Sequence, residues 1–194
     1  MMAPRVAAIL IAAVLAGGCD VFATREPEVA GGQQSLWTPP TEPGIVVSNL
    51  ELAWEIGNFN DYRRALTDDF TFTADPGDAA QLEIEFPGED VLENWDAEVD
   101  VEVAATIRGG ADSLSVDLVR FEDDLGQTVR LQKFDYTVTV FAGETATEYV
   151  GEVWFSIAQQ DNGEWLIRDW MDVAAQGGED SWGLLKGRNR LGGG

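Results

Sequence analysis

The chain has no histidine and only one cysteine, Cys19, among its 194 residues. The lack of histidine excludes serine–histidine–acid triads, zinc sites that use histidine ligands and haem held by histidine. A cysteine nucleophile is not expected either, because Cys19 lies in a segment where we expect its thiol to be modified. Any catalytic acid or base must therefore come from Asp, Glu, Tyr or one of the two lysines, Lys133 and Lys186.

Positive charge is also scarce. Lysine and arginine number 12 against 35 aspartates and glutamates, which gives a formal net charge of −23 at pH 7. A field of that sign repels phosphates, so we expect no nucleic-acid partner. No Walker loop or GxGxxG motif is present, and the fragment nearest to a calcium loop, Asp161-Asn162-Gly163, is better interpreted as a turn. We therefore expect neither a cofactor nor a bound metal.

The N-terminus carries the most informative motif. Arg5 is followed by an apolar run from Val6 to Leu15, too short to span a bilayer and typical of a signal peptide. The run Leu15-Ala16-Gly17-Gly18-Cys19 resembles the lipobox of bacterial lipoproteins, in which a cysteine after small residues receives a lipid once the chain before it is removed. The resemblance implies a signal peptide over residues 1–18 and a lipid anchor on Cys19.

This interpretation places the protein at the bacterial cell envelope, anchored to a membrane through Cys19 and facing the periplasm or the exterior. Two alternatives stay open: an ordinary secretory signal that happens to contain a cysteine, and a buried core thiol. Asp20 resembles an inner-membrane retention signal of some diderm bacteria. That rule varies between lineages, so the choice between inner and outer membrane stays open.

The remaining chain divides into three parts. Residues 19–43 are rich in Gly and Pro without a sustained hydrophobic period, which is typical of a flexible tether. Trp37 is the exception there, since a lone tryptophan in a linker usually packs on a domain or at a membrane interface. Residues 44–184 are long enough and apolar enough for one domain with a single core, and residues 185–194 form a Gly-rich tail.

A helix is predicted at the start of the domain. Apolar residues recur at helical spacing from Val46 to Trp54, and Gly57 supplies a stop. The helix begins either at Pro43, a residue that suits the first helical position, or later at a capping box from Ser48.

The next segments are shorter or less clear. Asn58 or Asn60 can cap a second short helix, and Phe70 and Phe72 then alternate as in a strand. Residues 94–108 fit two patterns, a half-exposed strand by alternation and a helix by four-residue spacing, and β-propensity alone favours the strand.

A long antiparallel meander is predicted beyond that point. Its β-rich runs are separated by turn signals and span residues 113–121, 128–141, 148–158 and 164–173. In the second run the apolar positions change parity, from Val129 and Leu131 to Phe134 and the alternate positions after it. This change predicts a β-bulge near Gln132-Lys133 and hence strong curvature of the sheet.

This order of elements resembles the nuclear transport factor 2-like superfamily, the cone-shaped α+β fold of ketosteroid isomerase and the polyketide cyclases. Residues Asn49–Tyr62 are similar to its first helix and turn, and Leu66–Phe72 to its entry into the first strand. Residues Gly163–Asp172, with Ser181-Trp182-Gly183 beyond them, are similar to the closing strand and tail of bacterial lipoproteins with this fold. The resemblance implies N-terminal helices packed on a strongly curved antiparallel sheet, a cystatin-like roll, and it assigns Trp95–Arg108 as a helix.

Proteins of this superfamily have a cavity between the helices and the concave face of the sheet. The candidate pocket residues are Tyr136, Trp154, Trp170 and Asp172. Tyr136 alternates with Phe134 on one face, and Trp170 and Asp172 share one face of the last strand. Core packing with a hydrogen-bonded polar tip explains the same residues, and Asp172 could equally cap a loop.

Three functions stay open. The preferred one is a non-catalytic domain that binds a small apolar ligand or an envelope protein, and apolar residues on the outer face of the sheet would indicate a homodimer instead. The second is a ketosteroid-isomerase-like or cyclase-like enzyme with Asp172 as base and Tyr136 as oxyanion donor. The third is a purely structural envelope protein. No catalytic motif of the superfamily transfers onto matching positions, so the sequence favours a protein that is not an enzyme.

Overall fold

Five helices and five strands make up the part of the chain that the computed structural model describes, residues 35–124 and 126–191. The helices are α1 (Pro43–Ile56), α2 (Phe59–Arg64), α3 (Pro76–Glu85), α4 (Ala97–Gly109) and α5 (Trp182–Leu191). The strands are β1 (Leu66–Thr73), β2 (Ser113–Asp124), β3 (Val129–Ala142), β4 (Thr145–Gln159) and β5 (Trp165–Ala174). The predicted signal peptide and Cys19 lie outside the described residues. Within the described residues, every helix is too short or too polar to cross a membrane.

Helix α1 has the predicted end and the earlier of the two predicted starts. It begins at Pro43, whose fixed φ and missing N–H suit the first helical position. It ends at Gly57, which adopts a left-handed φ of 71° and donates its N–H to the carbonyl of Trp54. Asn58 then caps α2, because its side-chain oxygen accepts a hydrogen bond from the N–H of Asp61.

Helix α4 covers the segment whose pattern fitted both a helix and a strand. Its N-cap is Asp96, whose carboxylate accepts a hydrogen bond from the N–H of Val99 at 2.9 Å. The residues that face the core recur at helical spacing: Ala97, Asp100, Val103, Ala104 and Ile107. The helix implied by the resemblance is therefore confirmed, because packing of this face overrides the β-propensity of the valines.

The strands form one sheet in the order β1-β5-β4-β3-β2. All neighbours are antiparallel except β1 and β5, which are parallel. The face of the sheet that packs in the core, called the inner face below, carries Phe134, Tyr136, Val138, Val153, Phe155, Ile157, Trp170 and Asp172. The predicted α+β class, with N-terminal helices on a mostly antiparallel sheet, is confirmed.

Helix α1 also protects the open edge of β2. Glu55 and Glu51 accept hydrogen bonds from the backbone N–H groups of Val116 and Leu118 at 3.1 and 3.2 Å. These donors have no strand beside them, since β2 is the last strand of the sheet. Burial raises the pKa of Glu51 to about 7, against the opposing effect of the hydrogen bond from Leu118.

The β-bulge lies on β2 and not on β3. Phe121 is the extra residue, because the register with β3 shifts between Arg120 and Glu122. Strand β3 pairs with β4 without interruption, and Gln132 continues the buried face that carries Phe134. The bulge predicted near Gln132-Lys133 therefore lies at about the predicted place, opposite Lys133 and Phe134, but its extra residue is on β2. The apparent change of parity on β3 came from a buried glutamine.

Two helices were not expected from the sequence. In α3, the side chain of the N-cap Asp75 accepts a hydrogen bond from the N–H of Gly77 at 2.7 Å. Helix α5 covers residues that were assigned to the end of the domain at position 184 and to a tail from position 185. Leu185 and Lys186 are buried, so the domain extends through this helix.

Residues 35–42, the end of the predicted tether, lie against the domain. The side chain of Asn49 accepts a hydrogen bond from the backbone N–H of Thr38 at 3.1 Å and donates one to its carbonyl at 2.7 Å. The guanidinium of Arg64 lies 4.4 Å from the centre of the Trp37 ring. The tether predicted before this segment lies outside the described residues.

Candidate functional site

The first turn of α5 is held by two of the predicted pocket residues. Tyr136 of β3 accepts a hydrogen bond from the backbone N–H of Trp182 at 2.7 Å. Asp172 of β5 accepts one from the backbone N–H of Gly183 at 2.9 Å. The first N–H groups of a helix have no partner within the helix and attract negative charge. Tyr136 and Asp172 therefore stabilise the start of α5.

A second acid completes this cap. The hydroxyl of Ser181 donates to Asp78 of α3 at 2.5 Å and accepts from the backbone N–H of Leu184 at 2.9 Å. Ser181 thus acts as the N-cap of α5, and Asp78 fixes the direction of its hydroxyl. Strands β3 and β5 and helix α3 together anchor one helix end.

Gly183 allows the carboxylates to come this close. A Cβ at this position would lie 2.8 Å from Oδ2 of Asp172 and 3.0 Å from Oδ2 of Asp78. Any larger residue would have to displace one of the two side chains. Both carboxylates therefore lie close to this residue at the N-terminus of the helix.

Burial changes the protonation of this cap. It raises the pKa of Asp172 to about 7, and the hydrogen bond from Gly183 opposes the shift only partly. Burial also raises the pKa of Asp78, against the effect of the hydrogen bond from Ser181. The pKa of Tyr136 is raised as well, first by burial and then by the nearby charge of Asp172. Tyr136 is therefore a neutral phenol at physiological pH, while the pKa of Asp172 lies near that pH.

Aromatic rings fill the space between the inner face and the helices. The rings of Trp170 and Trp182 lie 4.6 Å apart in an edge-to-face arrangement. Trp182 also contacts Trp54 of α1 at 5.3 Å and Tyr136 at 5.4 Å, and Trp170 contacts Phe155 at 5.0 Å. Trp182 is fully buried, so α5 closes the region where the sequence analysis expected a cavity.

Lys186 enters the same region from the next turn of α5. Its Nζ lies 2.7 Å from Oδ1 of Asp100 in α4, and both side chains have no exposed surface. The ammonium lies 3.3 Å from the centre of the Trp170 ring and 4.3 Å from that of Phe72. One carboxylate and two aromatic faces therefore surround a buried cation.

Asp100 is held by groups that do not belong to α5. The hydroxyl of Tyr62 donates to its Oδ2, and Nε1 of Trp95 donates to its Oδ1 at 2.8 Å. Burial lowers the pKa of Lys186, and the charge of Asp100 opposes this shift. Burial and the charge of Asp100 both raise the pKa of Tyr62.

Trp154 does not belong to this constellation. It lies on the other face of the sheet, opposite Lys133 of β3 and Met171 of β5 in the register. The ammonium of Lys133 lies 4.3 Å from the centre of the Trp154 ring. The structure thus brings Tyr136, Trp170 and Asp172 together and separates Trp154 from them, because neighbouring residues of β4 point to opposite faces.

The outer face around Trp154 combines apolar and acidic groups. Met171 beside it is 42% exposed, and Val119 on β2 is 57% exposed. Asp135 and Glu152 lie directly opposite each other on β3 and β4. Glu152 also accepts a hydrogen bond from Nε1 of Trp154 at 3.1 Å. We call Trp154, Met171, Asp135 and Glu152 the outer patch.

Two larger grooves open at the surface. One has a volume of about 420 Å³ and includes Asp135, Tyr136 and Glu152 in its lining; the other has about 460 Å³ and includes Phe72 and Trp95. Neither lining includes the carboxylate of Asp172 or the ring of Trp170. Within residues 35–124 and 126–191, no group of three or more acidic, cysteine or histidine side chains is arranged to hold a metal ion.

Comparison with solved structures shows the fold. A protein of unknown function from Mycobacterium tuberculosis is similar over 77% of this chain and 85% of its own, with 12% identity and a TM-score of 0.55. A conserved protein from Planctomyces limnophilus is similar over 65% of this chain and 88% of its own, with 13% identity and a TM-score of 0.53. A structure described as a calcium/calmodulin-dependent protein kinase II association domain, from Thiobacillus denitrificans, is similar over 72% of this chain and 99% of its own, with 9% identity and a TM-score of 0.54.

No protein-family model and no curated protein sequence matches the chain. At such low identities the structural likenesses carry the fold alone. That fold is an α+β arrangement with helices packed on a five-stranded, mostly antiparallel sheet, the layout that the resemblance in the sequence implies.

The buried residues that α5 brings in or contacts were not predicted from the sequence. Lys186 was counted as a possible base and then placed in a tail, and Asp100 was not noticed. One signal was present, since Trp182, Leu185 and Lys186 recur at positions i, i+3 and i+4 and so share a helix face. Lys186 makes this face look solvent-exposed in the sequence, because lysine is almost never fully buried unless it is paired.

Proposed function

We propose that this protein is a non-catalytic domain, held at the bacterial cell envelope by a lipid on Cys19, that binds an envelope protein through the outer patch of its sheet. One observation carries the proposal. The polar groups that an active site or ligand pocket would need, Tyr136 and Asp172, are already hydrogen-bonded to the first turn of α5. Both side chains thus stabilise the protein's own helix, which lies where a substrate or ligand would bind.

A ligand in the usual cavity would have to replace α5. Trp182 and Lys186 occupy the space above Trp170, and both are fully buried. An apolar ligand that entered would expose Trp182 and leave Asp100 without its cation, which is costly inside a protein. The geometry therefore favours a surface function over an internal pocket.

The enzyme alternative has one observation in its favour. Asp172 is buried and has a raised pKa of about 7, as a general base for a ketosteroid-isomerase-like reaction requires. However, Oδ2 of Asp172 accepts from Gly183 and the hydroxyl oxygen of Tyr136 accepts from Trp182, so the first turn of α5 lies against both groups where a substrate would have to bind. The same raised pKa follows from burial alone, so it does not by itself indicate catalysis.

The outer patch suggests the chemistry of the partner. Trp154 and Met171 offer apolar contact area, and tryptophan is a common anchor residue in protein interfaces. Asp135 and Glu152 lie opposite each other, so a basic group placed between them would be attracted by both carboxylates. A second copy of a chain with net charge −23 would add repulsion, so a basic partner fits better than a homodimer.

Photocrosslinking in cells tests this surface. A photoreactive amino acid at Met171 should crosslink to one basic envelope protein, and the same probe at Ile84 on α3, which is 79% exposed, should not. Adding Trp154→Ala should abolish the Met171 crosslink without lowering the melting temperature appreciably. A crosslink between two copies of this chain would show a homodimer, and equal crosslinking from both positions would contradict the proposed interface.

The lipid anchor is tested separately. The full chain, expressed with a clickable fatty acid, should incorporate the label and sediment with membranes, whereas Cys19→Ala should do neither. A protein that carries label without Cys19, or that stays soluble with Cys19 intact, would contradict the anchor. This result is independent of the crosslinking, so the two halves of the proposal can fail separately.

A further inference from the structure

The surroundings of the Lys186 ammonium have the chemistry of a binding site. A carboxylate oxygen of Asp100 lies 2.7 Å from Nζ, and the face of Trp170 lies 3.3 Å from it. Phe72 supplies a second ring at 4.3 Å. A buried carboxylate beside aromatic faces is an arrangement that binds organic ammonium groups, since the charge pair and the ring quadrupoles both favour a cation.

The groups around the ammonium are held in place without Lys186. Asp100 is fixed by the hydroxyl of Tyr62 and by Nε1 of Trp95, which belong to α2 and to the chain just before α4. Trp170 of β5 packs against Phe155 of the neighbouring strand β4, with ring centres 5.0 Å apart. Helix α5 contributes the cation and the nearby ring of Trp182, while the carboxylate and the two nearest rings come from the rest of the domain.

We infer that Asp100, Trp170 and Phe72 form a binding site for a primary alkylammonium ion, which this chain fills with its own Lys186 side chain. The inference concerns the inner face, so it does not depend on the proposed function of the outer patch. It makes α5 a covalently attached ligand of the domain. The site should keep its preference for an ammonium when the natural occupant is removed, because the carboxylate left behind is buried and needs a cation.

Removal of the side chain and replacement by a free amine tests the inference. Lys186→Ala deletes three methylene groups and the ammonium, and n-propylammonium has the same atoms plus hydrogens. At a tenfold excess over its dissociation constant, n-propylammonium chloride should raise the melting temperature of this variant by about 3–6 °C. The neutral analogue n-propanol and sodium chloride at matched ionic strength should not, and the wild-type protein should respond to none of the three.

The carboxylate is tested in a matched double variant. In Lys186→Ala/Asp100→Asn the site keeps its shape and loses its charge, so n-propylammonium should stabilise this protein no more than n-propanol does. If Lys186→Ala is unfolded in buffer, the same ligands are compared by near-ultraviolet circular dichroism for recovery of the folded state, which binding drives by mass action. Equal effects of amine and alcohol on Lys186→Ala, or an equal amine effect on the double variant, would overturn the inference.

Discussion

Separating the buried ion pair should be the most damaging change of charge in this domain. Lys186→Met removes the cation that pairs with the buried carboxyl group of Asp100, and Asp100→Asn leaves the ammonium of Lys186 without its counter-charge at 2.7 Å. Both side chains are fully buried, so water cannot take over the lost interaction. Each single variant should therefore lose about 3–5 kcal/mol of unfolding free energy.

The double variant Asp100→Asn/Lys186→Met should recover most of this loss. Asparagine still accepts a hydrogen bond from Nε1 of Trp95, and methionine packs on Trp170 without a charge to neutralise. Its unfolding free energy should lie within about 2 kcal/mol of wild type, because replacing a buried pair as a whole is far less costly than breaking it.

Urea denaturation followed by tryptophan fluorescence measures all four proteins of this cycle. Asp68→Asn serves as the control, since Asp68 pairs with Arg63 while its own side chain is fully exposed, and such surface pairs contribute at most about 1 kcal/mol. A double variant as unstable as the sum of the two singles, or singles no weaker than the Asp68 control, would refute the account of the buried pair.

Three further predictions follow from the same contacts. Asp172 has a pKa of about 7 in the folded protein and 3.8 as its ordinary value, so it opposes folding increasingly as the pH rises between these values. The unfolding free energy should fall by up to about 4 kcal/mol over that pH window, and in Asp172→Asn its dependence on pH, measured by urea denaturation, should be flatter. An unchanged pH dependence in the variant would contradict the raised pKa. Gly183→Ala should destabilise by about 1–3 kcal/mol because its Cβ would lie 2.8 Å from Oδ2 of Asp172, whereas Gly44→Ala, with open space around it, should not; equal melting temperatures would count against the cap. Trp170→Ala should cost about 3–5 kcal/mol and Trp154→Ala much less, since the first ring is in the core and the second is on the outer face.

Local patterns were sufficient to predict most elements. Helix α1 carries both of its end signals in the sequence, and Pro43 and Gly57 have the backbone roles assigned to them. The four predicted β-rich runs correspond to β2 to β5. They could be predicted because alternation and turn residues are local features of the sequence. Asp172 and Tyr136 were placed correctly on one face for the same reason.

The role of these residues could not be predicted from local patterns. Whether Tyr136 and Asp172 line a cavity or cap a helix depends on where α5 packs, and local patterns do not give the position of that helix. Trp154 was misplaced because aromatic residues stand at both parities of β4, and the register with β3 and β5 decides which parity faces the core. Gln132 was assigned to a bulge and Lys186 to a tail, since burial of a polar side chain depends on partners that lie far apart in the sequence.

Hydrogen exchange at the start of α5 tests the central claim most directly. If Tyr136 and Asp172 hold this helix closed over the inner face, the amides of Trp182 and Gly183 must exchange through an opening that breaks the caps and exposes Trp182. We expect both amides to exchange at least about 1,000-fold more slowly than in an unstructured chain, close to the rate of the core strands. Exchange within about tenfold of the unstructured rate would show that the helix leaves the inner face readily, and the region beneath it would then be an accessible pocket.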